Sequence, residues 1–583
     1  MKLTRKVNKL SWQFCSAVLV GLILGSSLLF GQSLRVPTLS RDLQNLPSGR
    51  LVDVIVQYSV PPTESHFARV AARQGSLTRD LRGALHGGAF RVPASSLEAL
   101  ANDPDVAYIS PDRPLSSMST PTYGDFYFYA SNAYRPWWAG LYGDGIGVAV
   151  IDSGIFNNPA SEEFNSIVYS QSFVSGQTST TDAYGHGTHV SGILAGNASN
   201  STGSGFSINF NGVAQNVNLV NLRVLDANGA GTDSAVIAAI QKAIKLKNAY
   251  NIRVINLSLG RPVYESYTLD PLCQAVEAAW KAGIVVVVAA GNDGRDNSAG
   301  TNGYGTITAP GNDPYVITVG AMRPMGTETR TDDLIASYSS KGPTLFDHIV
   351  KPDIVAPGNQ VISVLASTGA TLPAAYPQNV VPLSHFSTGK GNSQYYYLSG
   401  TSMATPVVSG AAALLLQLNA SLTPDQIKAI LMRTAYKAFP ASSTATDPTT
   451  GIVYTSQYDI FTVGAGYLDI EAAMSSNDVP SANVGIAQSP SVAKDASGNF
   501  HLVNGTSVVW GTSVVWGTSV VWGVKSESVL WGASSAPWGT STDAGFSVVW
   551  GQSAMSITAS ESADSAMAMI RAAMPLKIAP ATK

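Results

Sequence analysis

The sequence predicts an α/β protein whose main domain has three layers, with a parallel β-sheet covered by helices on both faces. Between residues 119 and 475, short and mainly apolar runs alternate with segments of helical spacing. Strands that are apolar on both faces and joined by helices are typical of such sheets. The predicted strands are Gly147–Ile151, Val217–Val224, Val254–Leu259, Ile284–Ala290, Tyr315–Val319 and Asp353–Val355.

Two helices of this domain follow from apolar spacing and composition. Asp233–Tyr250 places Val236, Ile240 and Ala243 on one helical face, and an apolar helix is expected at Val407–Leu418. In sheets of this class, sites form beyond the carboxyl ends of the strands. Polar residues that directly follow a predicted strand are therefore the first candidates for chemistry.

Residues 34–118 form a smaller unit in which strand and helix patterns alternate. Val52, Val54 and Val56 share one face of its first strand. The order of elements predicts a small α+β sandwich. The predicted strands are Leu51–Tyr58, Ala89–Val92 and Val106–Ile109, with one more near Leu81–Gly88, and the predicted helices are Phe67–Gln74 and Ser95–Ala101.

Residues 476–583 form an extension rich in Trp, Gly and Ser, with three consecutive copies of Thr-Ser-Val-Val-Trp-Gly from Thr506 to Gly523. Because the repeat has an even length, Trp510, Trp516 and Trp522 would share one face of a strand but scatter around a helix. We therefore predict a β-prone tail whose uncharged Val-Val-Trp runs are paired or covered. A loosely ordered extension that grew by duplication is the alternative.

The composition excludes several classes of function. Charged residues make up 13% of the chain, the net charge is −3 and the pI is about 6.2, so no strong field attracts nucleic acid or an anionic membrane. The two cysteines, Cys15 and Cys273, are too few for a disulfide framework or a structural zinc site. We therefore expect no nucleic-acid partner and no metal held by cysteine.

The N-terminus has the pattern of an export signal. A basic head with Lys2, Arg5, Lys6 and Lys9 precedes an apolar, uncharged run over residues 17–30. A basic start followed by about 7–15 apolar residues is typical of a signal peptide, whereas a membrane span needs about 20. We expect residues 1–33 to be removed. We also expect the mature form to be a monomer that does not span a membrane. An uncleaved anchor is the alternative.

Three motifs point to chemistry because each places a reactive residue where a strand ends or a helix begins. A serine hydroxyl is a weak nucleophile that needs a base, imidazole accepts its proton near neutral pH, and a buried carboxylate fixes the imidazole tautomer. Taken singly, these residues are ordinary turn, loop and capping residues, but their joint occurrence favours a nucleophilic site. The motifs are Val148–Gly154 around Asp152, Gly185–Gly192 around His186 and Ser399–Pro406 around Ser402.

The neighbours of these residues suit the same chemistry. Glycines flank His186, and Gly400 precedes Ser402 closely enough to leave room for a substrate backbone. The helix that begins near Ser402 would direct backbone N–H groups and a partial positive charge at a developing oxyanion.

With these motifs the chain resembles the subtilisin-like serine protease family over residues 119–475, including the family's order Asp, His, Ser. The resemblance implies that Asp152 orients His186, that His186 is general base and then general acid, and that Ser402 attacks the peptide carbonyl. It implies a serine endopeptidase that works through an acyl-enzyme and needs no cofactor for its chemistry. His189 and Asp353 match positions that are structural in the family.

The resemblance extends to residues around the substrate. Asn292 would donate its side-chain amide to the oxyanion, together with the backbone N–H of Ser402. Pairing along an edge strand reads the main chain of a substrate and fits broad specificity. Ordinary turns and strand ends are the alternative. The substrate-binding candidates are Gly229, Ala230 and Gly231 on an edge strand, Ser258, Leu259 and Gly260 on a pocket wall, and Thr308–Gly311, where Pro310 is a candidate for a cis peptide bond, on the pocket floor.

Three segments depart from the family pattern. The family often binds calcium through an aspartate after the first motif, where this chain has Asn158–Glu163, so that Glu162 or Glu163 would have to substitute. The long polar loop Asn197–Asn211 does not align with the family's usual calcium loop. Structural calcium therefore stays open. Thr368–Tyr397 is an insertion-like stretch placed to shape specificity.

Residues 34–118 resemble the family's inhibitory propeptide, which has a ferredoxin-like α+β fold. The resemblance implies that this unit assists folding, lies across the active site and is cut within Leu115–Pro121, so that a secreted enzyme is made as an autoprocessed zymogen. An unrelated small domain is the alternative. The segments that carry the resemblance are Ala89–Pro93, Leu97–Ala101 and Asp103–Ser110.

The expected partners are therefore polypeptide substrates and the chain's own propeptide as an intramolecular inhibitor. A second hypothesis is a catalytically inactive protein of the same fold that binds or adheres through the Trp-rich tail. A third is an esterase or peptide ligase with the same triad. A casein digest separates the second hypothesis from the first, and a comparison of ester with peptide substrates separates the third.

Overall fold

The computed structural model describes residues 38–44, 46–117, 127–157, 162–447 and 451–480, then 482–483, 485, 487–494 and five short strands in the C-terminal extension. The predicted signal peptide lies outside the described residues. So do residues 118–121 of the predicted processing segment, residues 158–161, and Trp510, Trp522, Trp538 and Trp550 of the extension.

The small module is a four-stranded antiparallel sheet with strand order β2-β3-β1-β4, the split βαβ arrangement of ferredoxin-like folds. The additional strand was expected near Leu81–Gly88 but lies earlier, at Ser76–Asp80. Leu81 and Leu85 instead form a turn, because their side chains are buried against the main domain's core. The elements are β1 (Leu51–Tyr58), α1 (Glu64–Ala71), β2 (Ser76–Asp80), β3 (Gly87–Pro93), α2 (Leu97–Ala101) and β4 (Val106–Pro111).

The main domain follows the small module through one connecting strand. In chain order, its strands are β5 (Pro114–Ser117), β6 (Gly147–Asp152), β7 (Ile167–Ser172), β8 (Asn218–Arg223), β9 (Ala230–Thr232), β10 (Ile252–Leu257), β11 (Leu259–Gly260), β12 (Val285–Ala289), β13 (Ile317–Arg323), β14 (Leu334–Ile335), β15 (Ile354–Pro357), β16 (Val361–Val364) and β17 (Tyr395–Leu398). Its helices are α3 (Tyr127–Ala130), α4 (Tyr134–Trp138), α5 (His186–Ala195), α6 (Asp233–Tyr250), α7 (Pro271–Lys281), α8 (Thr371–Ala375), α9 (Thr401–Leu418), α10 (Pro424–Thr434), α11 (Ile460–Val463) and α12 (Ile470–Met474).

The large sheet has strand order β14-β13-β12-β10-β6-β8-β7, with β15 also paired to β13. Every pairing is parallel except that of β13 with β14. All the predicted strands form, with ends that shift by a few residues. The prediction of an α/β domain with a parallel sheet is confirmed.

Helices cover both faces of this sheet. The residues of β6 are all buried, which requires a layer on each side. Helix α5 packs with α9, and α6 packs with α7. Helix α9 is long and apolar enough to cross a membrane, but 89% of it is buried inside the protein, as expected for a core helix.

Among the described residues, eight short strands form three further sheets, in which β18 and β19 belong to the main domain and the others to the extension. Strands β18 and β19 form a hairpin that β25 joins, β20, β21 and β24 form a second sheet, and β22 pairs with β23. Strands β22 and β23 lie within Thr506–Gly523, most of which lies outside the described residues, so the strand character of the repeats stays a prediction. The strands are β18 (Ser442–Thr446), β19 (Val453–Gln457), β20 (Val492–Lys494), β21 (Phe500–Leu502), β22 (Val515–Trp516), β23 (Val520–Val521), β24 (Val529–Trp531) and β25 (Ile557–Ser560).

Candidate active site

Asp152 lies at the carboxyl end of β6, between two other parallel strands. It is 1% exposed, and its backbone carbonyl accepts a hydrogen bond from Val224 N–H at 2.8 Å. Its Oδ1 accepts the N–H of Ser153 at 2.7 Å and lies 2.8 Å from Nδ1 of His186. The strand end therefore fixes a buried carboxylate against the imidazole.

His186 is the first residue of α5, and glycines on both sides allow close packing around it. Gly185 has a φ of +104°, and a Cβ atom there would lie 2.9 Å from Cδ of Pro373. A Cβ atom on Gly187 would lie 2.3 Å from the carbonyl oxygen of Gly154. The imidazole is buried, its Nδ1 contacts the carboxylate, and its Nε2 has no hydrogen-bond partner among the described residues. Because a carboxylate only accepts, Nδ1 carries the proton in this contact, and the neutral ring has its lone pair on Nε2, where a proton can be accepted.

Ser402 is the second residue of α9, at the end of that helix where its backbone N–H groups are free of intrahelical partners. Its Oγ donates to the carbonyl oxygen of Ser258 at 3.0 Å, and Ser258 Oγ donates back to the Ser402 carbonyl at 2.8 Å. The structure thus joins Asp152 and His186 directly, whereas the Ser402 hydroxyl is turned toward Ser258 and makes no hydrogen bond to His186. Catalytic hydrogen bonds often tighten only when substrate binds.

Asn292 follows β12 and contacts the first residue of α9. Its Oδ1 accepts hydrogen bonds from both the backbone N–H and the hydroxyl of Thr401, each at 3.0 Å. Gly291 before it has a φ of +113°, and a Cβ atom there would lie 2.6 Å from Oγ of Ser340. Because its oxygen is engaged, the Nδ2 amide of Asn292 is left to donate beside Ser402.

The predicted substrate strands flank a segment of the chain itself. Strand β5 lies antiparallel between β9 and β11, so it pairs on both sides. Gly229 precedes β9 in a turn with a φ of +72°, and Ser258 immediately precedes β11. The opposed residues are Pro114 with Thr232, Leu115 with Gly231, Ser116 with Ala230 and with Gly260, and Ser117 with Leu259.

A buried ionic cluster binds the small module to the main domain just before β5. Arg113, which is 3% exposed, donates from both terminal nitrogens to Glu265, with Nη2 2.7 Å from Oε2. Ser40 and Tyr108 donate to the same carboxylate at 3.1 and 3.2 Å. These contacts lead the chain into the groove between β9 and β11.

The predicted pocket floor lies next to the turn that carries Asn292. The N–H of Thr308 donates to the carbonyl of Ala290 at 3.0 Å. Ala309 and Arg261 exchange backbone hydrogen bonds at 2.8 and 3.1 Å, which places the floor beside β11. The peptide bond before Pro310 is cis, the isomer considered for it from the sequence.

His189 contacts the hairpin formed by β16 and β17 and does not contact the triad. Its Nε2 lies 3.1 Å from the carbonyl of Val361 and 2.9 Å from that of Tyr396, so this nitrogen carries the proton. Burial lowers the pKa of His189 to about 3. The ring is therefore neutral at working pH and braces α5.

Asp353 lies in a second buried cluster, away from the groove. Its Oδ2 is 2.7 Å from Nζ of Lys351, and its Oδ1 is 3.2 Å from Nζ of Lys428. Although burial alone opposes its charge, the two ammonium groups hold the pKa of Asp353 below its ordinary value. The side chains of Asp353, Lys351 and Lys428 therefore make structural contacts with one another.

The two carboxylates considered for calcium, Glu162 and Glu163, lie in different surroundings. Glu162 is exposed, and Oε1 of Glu163 accepts from the backbone and side chain of Asn200, at 3.1 and 2.7 Å, and from the hydroxyl of Tyr395 at 2.6 Å. Calcium needs about six to eight oxygen ligands, whereas the groups that contact Oε1 are hydrogen-bond donors and Oε2 has no hydrogen-bond partner among the described residues. Among the residues that the structure describes, no cluster of three His, Cys, Asp or Glu side chains could hold a metal. Burial raises the pKa of Glu163.

Two further features that support the loop before His186 were not predicted from the sequence. The carboxylate of Asp182, in the loop before His186, is buried and fully hydrogen-bonded. The inserted helix α8 contacts that same loop, since Leu372 N–H donates to the carbonyl of Tyr184 at 2.8 Å. The one sequence signal for Asp182 is its position four residues before His186, and in the sequence an aspartate there cannot be distinguished from a turn residue.

Comparison with known proteins assigns the chain to a family. The model described as the subtilase family matches residues 143–464. The chain is 40% identical to serine protease AprX of Bacillus subtilis (strain 168), over 50% of this chain and 61% of that protein. It is 35% identical to subtilisin DY of Bacillus licheniformis, over 57% of this chain and 92% of that protein.

A solved structure has the same fold. Fervidolysin from Fervidobacterium pennivorans, a keratinolytic enzyme related to subtilisin, superposes with a TM-score of 0.55 at 21% identity, over 76% of this chain and 63% of that chain. Because the family model covers more than half of the sequence, the chain belongs to the subtilase family and is a serine endopeptidase of the subtilisin type.

Proposed function

We propose that this protein is a secreted endopeptidase made as a zymogen, whose small module fills the substrate groove until the connection is cut. The observation that carries the proposal is the pairing of β5 with β9 on one side and β11 on the other. An extended segment that adds to two strand edges has the binding mode of a peptide substrate. The basic and apolar pattern of residues 1–33 supports export.

The proposed reaction begins with the Ser402 hydroxyl. Its Oγ leaves Ser258, passes its proton to Nε2 of His186 and attacks the carbonyl carbon of the substrate. Asp152, 2.8 Å from Nδ1, stabilises the imidazolium that results. The negative charge that develops on the carbonyl oxygen is met by Nδ2 of Asn292 and the backbone N–H of Ser402.

The tetrahedral intermediate then loses its amine. The C–N bond breaks, His186 returns the proton to the leaving nitrogen, and an ester remains on Ser402. Water next transfers a proton to His186 and attacks the ester carbonyl. The bond between Oγ and the carbonyl carbon then breaks, His186 returns its proton to Oγ, and the carboxylic acid leaves, so that each bond broken is balanced by water and the chain's own residues.

The contact between Ser402 and Ser258 links substrate binding to activation. Ser258 precedes β11, and its carbonyl is the acceptor that the hydroxyl now occupies. A substrate strand that continues the pairing with β11 offers a backbone N–H to this carbonyl. The hydroxyl is then free to rotate to His186.

Processing of the full chain tests the proposal. We expect wild-type protein to be cut within the few residues after Ser117, and the Ser402→Ala variant to keep the small module attached. Ser409→Ala, on the same helix but bonded to Asn256, is the matched control and should process normally. Intact mass and N-terminal sequencing of the purified proteins give the result. Self-cleavage of purified Ser402→Ala at the wild-type position would overturn the proposal.

A further inference from the structure

One buried carboxylate connects the strand that carries Asp152 to the helix that carries His186. Oδ1 of Asp182 accepts hydrogen bonds from Oγ of Ser153 at 2.8 Å and from the N–H groups of Tyr184 and Gly185 at 3.1 and 2.7 Å. Its Oδ2 accepts from the N–H and the hydroxyl of Thr188 at 2.8 and 2.7 Å. Asp182 is 1% exposed, so water does not supply hydrogen bonds to this carboxylate.

The contacts enclose the catalytic pair from both sides in the sequence. Ser153 is the residue after Asp152, and its N–H orients that carboxylate at 2.7 Å. The Oγ of Ser153 also accepts the N–H of Gly187, directly after His186, at 2.9 Å. The amides before and after the imidazole are thus anchored to the same oxygen network as the carboxylate that it contacts.

The network requires a group that only accepts. Five donors converge on Asp182, and the hydroxyls of Ser153 and Thr188 already accept from Gly187 and Phe156, which commits their protons to the carboxylate. An asparagine has one acceptor oxygen and would press an N–H₂ group against donors on its other side. Two or more of the five hydrogen bonds would then be lost without compensation by water.

We propose that Asp182 is a positioning residue for catalysis, which sets the relative placement of Asp152 and His186 by holding the two segments that carry them. The proposal rests on the proposed function of the triad. A displacement of about 1 Å in a catalytic constellation lowers the rate by up to about 100-fold. Loss of Asp182 should therefore reduce turnover and leave binding by the β9 and β11 edges largely intact.

The test compares Asp182→Asn with wild-type enzyme per functional site. The variant and the wild-type enzyme are both matured by added wild-type protein that carries an affinity tag and is then removed. Reactive sites are counted by complete labelling with a sulfonyl fluoride. We expect kcat per labelled site to fall about 10- to 100-fold, KM on a peptide substrate to change less than about threefold, and the acidic limb of the kcat/KM profile to move. Asp425 is another buried aspartate, which accepts hydrogen bonds from an amide and an indole. The control variant Asp425→Asn should change neither kcat per labelled site nor the pH profile.

A second variant keeps the proposal decidable if Asp182→Asn yields no folded protein. Ser153→Ala removes only the link between Asp182 and Gly187 and should lower kcat per site by a smaller factor, with KM unchanged. Wild-type kcat per site and an unshifted pH profile in the folded variants would overturn the inference, because a purely structural role would lower only the number of sites. Activity that survives in Ser402→Ala would instead refute the proposed function.

Discussion

At the scale of single residues, the site depends on side chains whose second hydrogen-bonding group is kept available. His186 has one nitrogen on Asp152 and the other without a partner in the described part of the chain. Asn292 has its oxygen on Thr401 and its amide left to donate. Ser402 is the exception, since its hydroxyl is engaged by a carbonyl that a substrate can take over. In the proposed mechanism, a bound peptide releases this hydroxyl from the carbonyl of Ser258.

His189 gives a prediction on stability at the same scale. Its pKa is about 3 in the native state and about 6.5 in an unfolded chain. The unfolded state therefore binds the proton first as the pH falls below about 6.5, and the free energy of unfolding drops by up to about 1.4 kcal/mol per pH unit. The contribution is complete above that pH and declines toward pH 3.

The variant His189→Gln, made on the inactive Ser402→Ala chain to prevent autolysis, keeps an N–H₂ donor for the two carbonyls but does not titrate. Denaturant unfolding should show a shallower loss of stability between about pH 6.5 and pH 5 in this variant than in its parent. Identical slopes would refute the assignment of that titration to His189.

At the scale of elements, the site is made where strand ends meet helix starts. Strand β6 ends at Asp152, α5 begins at His186 and α9 begins next to Ser402, so a parallel sheet brings residues that are distant in sequence to one edge. The insertion that contains α8 adds a brace to this edge. Thr371 N–H donates to Ala183 at 3.0 Å, and its Oγ1 donates to Ala227 at 2.6 Å. One threonine therefore connects the loop before His186 with the loop before β9.

The brace predicts an effect on extended substrates. Thr371→Val removes the bond to Ala227 and keeps the side-chain shape, so β9 should be held less firmly. A hydrogen bond contributes about 0.5–1.5 kcal/mol, and we expect KM for a peptide long enough to pair with β9 to rise about 2- to 10-fold. A short ester should be unaffected. Thr388→Val, in the same insertion but bonded to Gly205, is the control. Equal KM changes for both substrates would contradict this role.

Much of the fold and site was predictable because several signals are local. Strand β12 is a continuous apolar run, β6 is apolar up to Asp152, and α6 has a regular apolar face that ends where predicted. The edge strand β7 was missed because its residues alternate between half-buried and exposed positions. The contacts of Glu163 were unpredictable, since Tyr395 reaches it from the distant insertion. The rotamer of Ser402 likewise depends on its hydrogen bond to Ser258, and no local sequence pattern predicts that contact.

At the scale of the whole molecule, the start of the C-terminal extension is part of the main domain's packing. The linking segment, residues 478–494, places Ser489 against the buried ammonium of Lys428 at 2.9 Å, and Ser489 also donates to Asp353. Ala487 N–H donates to Asp425 at 2.9 Å, and Val350 N–H donates to the carbonyl of Pro490 at 2.8 Å. The main domain therefore packs against residues beyond 475.

Truncation tests that conclusion. A chain that ends at 494 should match the full chain in Tm, measured on the Ser402→Ala background. A chain that ends at 477 loses the Ser489 hydroxyl that contacts Lys428 and Asp353 and the Ala487 N–H that donates to Asp425, at a cost of about 0.5–1.5 kcal/mol for each hydrogen bond. We expect its Tm to fall by about 5 °C or more. Equal Tm values for the two truncations would show that the linking segment is dispensable.

The central claim is that Ser402 is the nucleophile of a proteolytic site, and covalent labelling tests it most directly. Mature wild-type protein is treated with a sulfonyl fluoride, digested and mapped by mass spectrometry while casein hydrolysis is followed. We predict one adduct, on Ser402, that accumulates in proportion to the loss of activity. Casein hydrolysis that persists after Ser402 is fully labelled, or inactivation by an adduct at another residue, would contradict the account.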